Sequence, residues 1–318
     1  MVSIVLVTYN RSDRLGDSIQ DVLNQTFTEF ELIICDDAST DGTEKICREF
    51  AQTDTRIRYN RQPTNLGMPG NLIDGIKKAR FPYIAILHDA DRFSPRLLER
   101  WYRAIVSSPD IGFVFNSMGT LNEQETLLTF FMEFGEGQIS GRHLLENVYF
   151  RRWHFNSPVY GEAMVRKSVL EDLNYLDGRF GFYADVDLWM RILQKNDAYY
   201  CREILISRPD KTSVPRLFSD TMVKTYFLMR KTHFENRVAR FGRNPVRFAA
   251  EMIRLAWYNL LNIIYIILIH IKNHNLQGYL SLFRAVKGKS PVFLLLLTCL
   301  LPLKLILPKP VNVKLRPG

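Results

Sequence analysis

The segment Val2–Thr8 (VSIVLVT) constrains this chain more than any other. It is apolar and β-branched almost throughout, and a polar turn, Tyr9-Asn10-Arg11-Ser12-Asp13, follows directly. A strand with one wet face alternates polar and apolar residues. An unbroken run instead predicts a strand buried on both faces, as in a parallel sheet covered by helices. Helix-like and strand-like stretches then alternate. Arg14–Gln25 sets Leu15, Ile19, Val22 and Leu23 at helical spacing, with Ser12 or Asp13 as its cap. Phe30–Cys35 reads as strand, Glu44–Ala51 as helix, Arg56–Arg61 as strand and Gly70–Ala79 as helix. Phe81–Leu87 reads as strand, Leu97–Val106 as helix and Gly112–Phe115 as strand. This order predicts an α/β fold with a doubly wound, mostly parallel sheet. Such sheets bind ligands outside the carboxyl ends of their strands. Three strands end in Tyr9-Asn10-Arg11, Asp36-Asp37 and Asp89-Ala90-Asp91, so these clusters are expected to meet in one crevice.

Charge divides the chain unequally. Residues 1–220 hold 26 Lys/Arg against 31 Asp/Glu, whereas residues 221–318 hold 16 Lys/Arg against two acids, Glu235 and Glu251. The expected organisation is a catalytic domain over 1–220 and a basic, apolar helical region over 221–318. Within the latter, Leu255–Ile271 is apolar except for Asn259, Asn262 and His270, which with Asn273 span a polar stripe about 80° wide. Val292–Leu307 is interrupted by Pro302 and Lys304 and falls short of the roughly 20 residues a spanning helix needs. Cationic flanks beside apolar faces suit an anionic membrane surface better than packing as ordinary core. Nucleic acid is the other anionic partner to weigh. The tail pairs its charge with aliphatic runs rather than with interleaved aromatics for base stacking, so nucleic acid is not expected. The start of the chain lacks the basic flank of a signal peptide. Four scattered cysteines suggest a reducing compartment.

The acidic clusters read two ways each. Asp89-Ala90-Asp91 is an ordinary solvated turn, or a pair of carboxylates that share a divalent cation with a phosphate substrate. Asp36-Asp37 opens a turn into a helix, yet two carboxylates beside a buried strand need partners, and N–H donors of a base edge would serve. Asp185 and Asp187 complement a helix N-terminus, or one of them is a general base. Among Trp153, Phe155, Tyr160, Phe182, Tyr183 and Trp189, some rings would stack on sugar, although core is the better reading for any one of them and for Trp189 in particular. No role is assigned to His88, and His154 has no partner at ligand spacing.

Taken together, the chain resembles the family 2 glycosyltransferases, enzymes of the GT-A fold. The likeness covers about residues 1–215. It rests on VSIVLVTYNR (2–11), FELIICDDASTDGT (30–43), Asn65-Leu66-Gly67 with the helix after it, YIAILHDADRFSP (83–95) and FYADVDLWMRIL (182–193). The resemblance implies a Rossmann-like GT-A domain and inverting transfer of a sugar from a nucleoside diphosphate, most often UDP. It implies that Thr8, Tyr9, Asn10 and Arg11 line the base and ribose, together with Asn65 and Gly67. It implies further that Asp37 accepts from the base, that Asp89 meets the ribose or diphosphate, and that Asp185 is the base. Asp91, with Asp89, would hold manganese or magnesium.

Three positions depart from the family pattern. Ala184 replaces a frequent Glu, and Arg92 a frequent Asp. Pro209 stands where relatives often carry a His, so either the cation manages without that ligand or Arg208 and Lys211 charge-balance the diphosphate directly. With a basic tail on the cytoplasmic leaflet, the implied acceptor is a lipid-linked saccharide of cell-surface polysaccharide assembly. Two alternatives are weighed. A nucleotidyltransferase would want a glycine-rich phosphate loop, and Tyr9–Asp13 has no glycine. A relative that binds a sugar nucleotide without transferring it stays open through Ala184 and Pro209.

Overall fold

In the computed structural model, the residues described are 1–121, 127–130, 134–149, 159, 161–209, 225, 228, 229, 232 and 233. The chain divides into two compact units, Met1–Ser213 and Val214–Gly318. The apolar stretches Leu255–Ile271 and Val292–Leu307 lie outside the described residues, as do Trp153, His154, Phe155, Tyr160 and Lys211. Among the described residues, no helix is long and apolar enough to cross a membrane.

The first unit alternates as expected: β1 (Val2–Thr8), α1 (Leu15–Leu23), β2 (Phe30–Asp36), α2 (Thr43–Thr53), β3 (Ile57–Arg61), α3 (Gly67–Lys78), β4 (Tyr83–His88) and β5 (Arg92–Phe93). There follow α4 (Leu97–Val106), β6 (Ile111–Leu121), β7 (Leu127–Phe130), β8 (Gly137–Ile139) and α5 (Gly141–Leu144). The unit ends with β9 (Ala163–Arg166), α6 (Lys167–Asp172), α7 (Ala184–Ile192) and β10 (Asp197–Pro209). One ten-stranded sheet runs β3-β2-β1-β4-β9-β6-β10-β5, with β7 on β6 and β8 on β10. The pairs β1–β2, β1–β4, β2–β3 and β6–β10 are parallel, while β9 runs antiparallel between β4 and β6.

All seven residues of β1 are buried, which is why its sequence lacks alternation. Val5 and Val7 enter a core with Leu72 and Ile76 of α3 and Trp189 of α7. Ile4 and Leu6 face the opposite way, into a core with Leu15 and Ile19 of α1 and Trp101 of α4. Each such aliphatic side chain contributes about 1.5–3 kcal/mol when fully buried. α3 approaches the sheet closely because Gly75 has no Cβ. A Cβ there would lie 2.4 Å from Cys35 Sγ and 2.6 Å from Val5 Cγ1.

α3 begins at Gly67, a turn before the expected start, and places Pro69 in its first turn, where no backbone donor is required. β10 has no clear period in the sequence. The reason is visible in its pairing with β6, whose register shifts between Cys201 and Ile204 and again between Ile204 and Ile206. β6 likewise runs past Phe115, because Asn116 takes the Trp101 indole N–H (3.1 Å) and Ser117 pairs with the Tyr200 hydroxyl.

Candidate active site

The loops after β1 and β2 are sewn together by their own polar residues. Asn10 sits at φ 52, a left-handed conformation that Asn tolerates better than most residues. Its backbone N–H donates to Ser39 Oγ (2.9 Å) and its Oδ1 accepts from the Thr40 amide (2.8 Å). The Arg11 amide donates to Thr43 Oγ1 (3.0 Å) and the Ser12 amide to Asp41 Oδ2 (3.1 Å). Burial acts against ionisation of Asp41, but hydrogen bonds from Thr43 and Ser12 outweigh it and hold the carboxyl at about 2.

The adjacent carboxylates at the end of β2 have separate tasks. Asp36 is fully buried and spends its oxygens on the Ser39 amide (2.9 Å) and the Tyr59 hydroxyl (2.6 Å). Asp37 accepts from the Leu66 amide (2.7 Å) and lines a cavity. Asn65 Oδ1 accepts from the Gly67 amide (3.0 Å), and Gly67 opens α3 at φ 72. At the end of β4, the Ser18 hydroxyl of α1 reaches the carbonyl oxygens of Asp89 (3.0 Å) and Asp91 (2.9 Å), fixing that turn. Asp89 lies 3.6 Å from Arg11 Nε, and burial raises its carboxyl above the ordinary value.

The cavity measures about 760 Å³, within the usual range for a small-molecule site. Thr8, Tyr9, Arg11, Asp37, Asn65, Gly67, Asp89, Asp91 and Arg208 all line it. The three strand-end clusters thus meet as expected. Asn10 does not line it and instead anchors the loop to its neighbour.

Asp185 stands on the first turn of α7, close to His88 of β4. Gly161, at φ +88, separates them. A Cβ on it would lie 2.6 Å from His88 Cε1 and 3.4 Å from Asp185 Oδ2. Burial raises Asp185 to about 6, against opposing help from helix amides. Asp187, by contrast, is buried and bound to Arg191 Nε (2.7 Å), which also grips the carbonyls of Leu173 and Tyr175. Ala184 is fully buried in the core. Trp189 packs against Phe113 with ring centroids 5.0 Å apart, as core. Tyr183 is buried too, while Phe182 is 67% exposed.

A model of glycosyl transferase family 2 matches residues 3–173, more than half of the sequence. The chain belongs to that family. Among family 2 relatives it is 29% identical over 195 residues to an uncharacterized glycosyltransferase, MJ1057, of Methanocaldococcus jannaschii, covering 61% of this chain and 64% of the relative. It is 24% identical over 208 residues to the GalNAc(5)-diNAcBac-PP-undecaprenol beta-1,3-glucosyltransferase of Campylobacter jejuni, covering 65% and 64% respectively. The chain thus spans just under two thirds of the length of these relatives. Its fold matches residues 1–349 of TarS of S. aureus in complex with UDP-GlcNAc (TM-score 0.66, 14% identity, 90% of this chain and 79% of that one). It also matches the mannosyltransferase PcManGT of Pyrobaculum calidifontis in complex with GDP-Man and Mn2+ (TM-score 0.55, 16% identity, 93% and 83%). The GT-A architecture expected from the sequence is therefore the architecture present.

Family resemblance also implies a divalent cation on Asp91 with Asp89. The structure groups Asp91 differently. His88, Asp91 and Glu162 each offer a ligand atom, all within 4.8 Å of one another, and Glu162 Oε2 is buried with no hydrogen-bond partner. That orphaned oxygen is what a cation would satisfy. One observation opposes it. Both Asp91 oxygens are engaged by Arg208, Nε on Oδ1 (2.9 Å) and Nη2 on Oδ2 (2.7 Å). Burial first, and the Asp91 charge next, push Glu162 well above the usual carboxylate range. Burial pushes His88 down to about 4, leaving the neutral imidazole. As arranged, Asp91 is committed to Arg208 rather than to a cation.

The sequence assigns no role to Glu162 or His88. The available signal was a single carboxylate at the head of an otherwise apolar strand, Gly161-Glu162-Ala163-Met164-Val165.

Proposed function

We propose that this chain transfers a sugar, with inversion, from a nucleoside diphosphate donor of UDP type to a hydroxyl of a saccharide acceptor. The observation that supports this best is the position of Asp185. It is a carboxylate raised to about 6, close to His88, which lines the cavity that also holds the residues expected for the donor; Asp185 itself is not part of that lining. Across the strand ends, Asp37 and Asn65 take the nucleobase end, Tyr9, Arg11 and Asp89 the ribose, and Asp91 with Arg208 the diphosphate end. The acceptor oxygen attacks the anomeric carbon opposite the leaving diphosphate. As the C1–O bond breaks, its electron pair goes to the β-phosphate oxygen and the acceptor proton goes to Asp185. The remaining groups hold donor and base in line.

The donor class is tested by titrating UDP, dTDP and GDP calorimetrically into the full chain. One of them should bind. Asp37→Ala should weaken it at least about tenfold, the cost of a lost hydrogen bond to a charged group, and leave turnover at saturating donor almost unchanged. A folded protein that bound none of the three would end the reading.

The acceptor proposed is a lipid-linked saccharide in the assembly of a cell-surface polysaccharide, in keeping with the Campylobacter relative. The chain would work as a peripheral or monotopic protein on the cytoplasmic face of the membrane. The support is the +14 balance of residues 221–318 beside their aliphatic runs. The full chain should cosediment with anionic vesicles, release in high salt and pass unretained over DNA. Retention on DNA without vesicle binding would point to a nucleic-acid partner instead.

A further inference from the structure

We propose that Arg208 stands in for the divalent cation at the donor diphosphate, so that this site binds and uses its donor without a metal ion. This rests on the donor reading above. The argument begins with the Asp89-Ala90-Asp91 turn, where each carboxylate already has its own guanidinium. Arg11 lies 3.6 Å from Asp89, and Arg208 grips Asp91 through two parallel hydrogen bonds. A fork-on-fork pair of this kind is the strongest geometry open to arginine and carboxylate, and arginine does not deprotonate. Asp91 is 1% exposed, so its charge is lost to solvent and depends on Arg208.

A cation coming to Asp91 meets an obstacle. It must share the carboxylate with a positive group that already holds both oxygens, or displace it, and the two like charges repel. Arg208 does not meet it, because it is already seated. Its side chain is anchored at Asp91, yet 42% exposed and part of the cavity wall. Arg11 and Arg14 line the same wall, so three arginines border the space assigned to the donor. Charge building on the leaving diphosphate would develop beside Arg208, a dipole-free fixed cation that needs no reorganisation.

Arg208 owes its place to β10. Ser207 pairs antiparallel with Arg92 of β5, and Arg208 pairs in parallel register with Thr120 of β6. That register brings the last turn of a late strand onto the turn after β4.

The experiment uses the full chain, freed of metal by excess chelator, titrated with UDP, dTDP and GDP, then repeated with Mn2+. The expected result is that one nucleotide binds in chelator with an affinity within about threefold of its value in Mn2+. Arg208→Ala should lose at least about thirtyfold in chelator and recover part of it in Mn2+, because Asp91, Glu162 and His88 are then open to a cation. A merely structural arginine would show no such rescue. Should Arg208→Ala fail to fold, Arg208→Lys keeps a positive partner for Asp91 and should show a smaller loss with the same rescue. Wild-type binding that requires Mn2+, or an Arg208→Ala protein that binds normally in chelator, would overturn the proposal while leaving the donor reading intact. Folded wild-type protein that binds no nucleotide in either condition would remove both.

Discussion

Asp185→Asn should lower transfer about a thousandfold, the middle of the range for a positioned general base, and leave nucleotide affinity within about twofold. The substitution keeps the shape of the side chain and removes its charge and proton affinity. A loss of donor binding equal to the loss of rate would reassign Asp185 to the donor site. Stability provides the control. Asp185 is raised from 3.8 to about 6 in the folded protein, so the folded state holds the proton more tightly than the unfolded chain. Its ionisation therefore destabilises the fold as pH rises through that window, and the cost persists above it. Asn has no such cost, so the Asp185→Asn melting temperature at neutral pH should equal or exceed that of wild type. The same value fixes the acid limb of the wild-type pH profile. Below about 6 the rate should fall tenfold per pH unit as the base becomes protonated, and Asp185→Asn should flatten that limb.

What the sequence makes legible follows from how many levels agree at each position. β1, β2 and β4 are read easily because burial on both faces leaves only one kind of residue possible. Much of the cavity wall is read from loops that immediately follow those strands, so sequence order and spatial order coincide. Asp36 and Asp37 are not separable by type. Only the structure shows that Tyr59 and Ser39 consume the first while the second reaches the cavity. Glu162, and the pairing of Arg208 with Asp91, escape for a different reason. β9 enters the sheet antiparallel between β4 and β6, and β10 returns beside β6, so both residues meet Asp91 across seventy or more intervening positions. Local pattern carries no information over that distance. β10 adds a second obstacle, since its register shifts break the alternation by which a strand is recognised.

Gly161→Val should reduce turnover about a hundredfold and lower the melting temperature, although residue 161 takes no part in the chemistry. Two costs act at one atom. The backbone at φ +88 lies where an L-residue is disfavoured by roughly 1–2 kcal/mol. The new Cβ would also stand 2.6 Å from His88 Cε1, the edge of a ring rather than the end of a flexible chain. Relief requires movement of the 161 backbone or the His88 ring. The first shifts Glu162, whose carboxylate accepts from the His88 amide (3.3 Å) and lies beside Asp91. The second presses toward Asp185, 3.4 Å from the same Cβ position. The base and the Asp91–Arg208 pair are thus displaced by one substitution, while Asp37 and Asn65, at the nucleobase end, are untouched. Turnover should therefore fall far more than nucleotide affinity, with Gly161→Ala between Val and wild type in both rate and melting temperature. Full turnover in a stably folded Gly161→Val protein would mean that the His88–Asp185 wall does not set the position of the base.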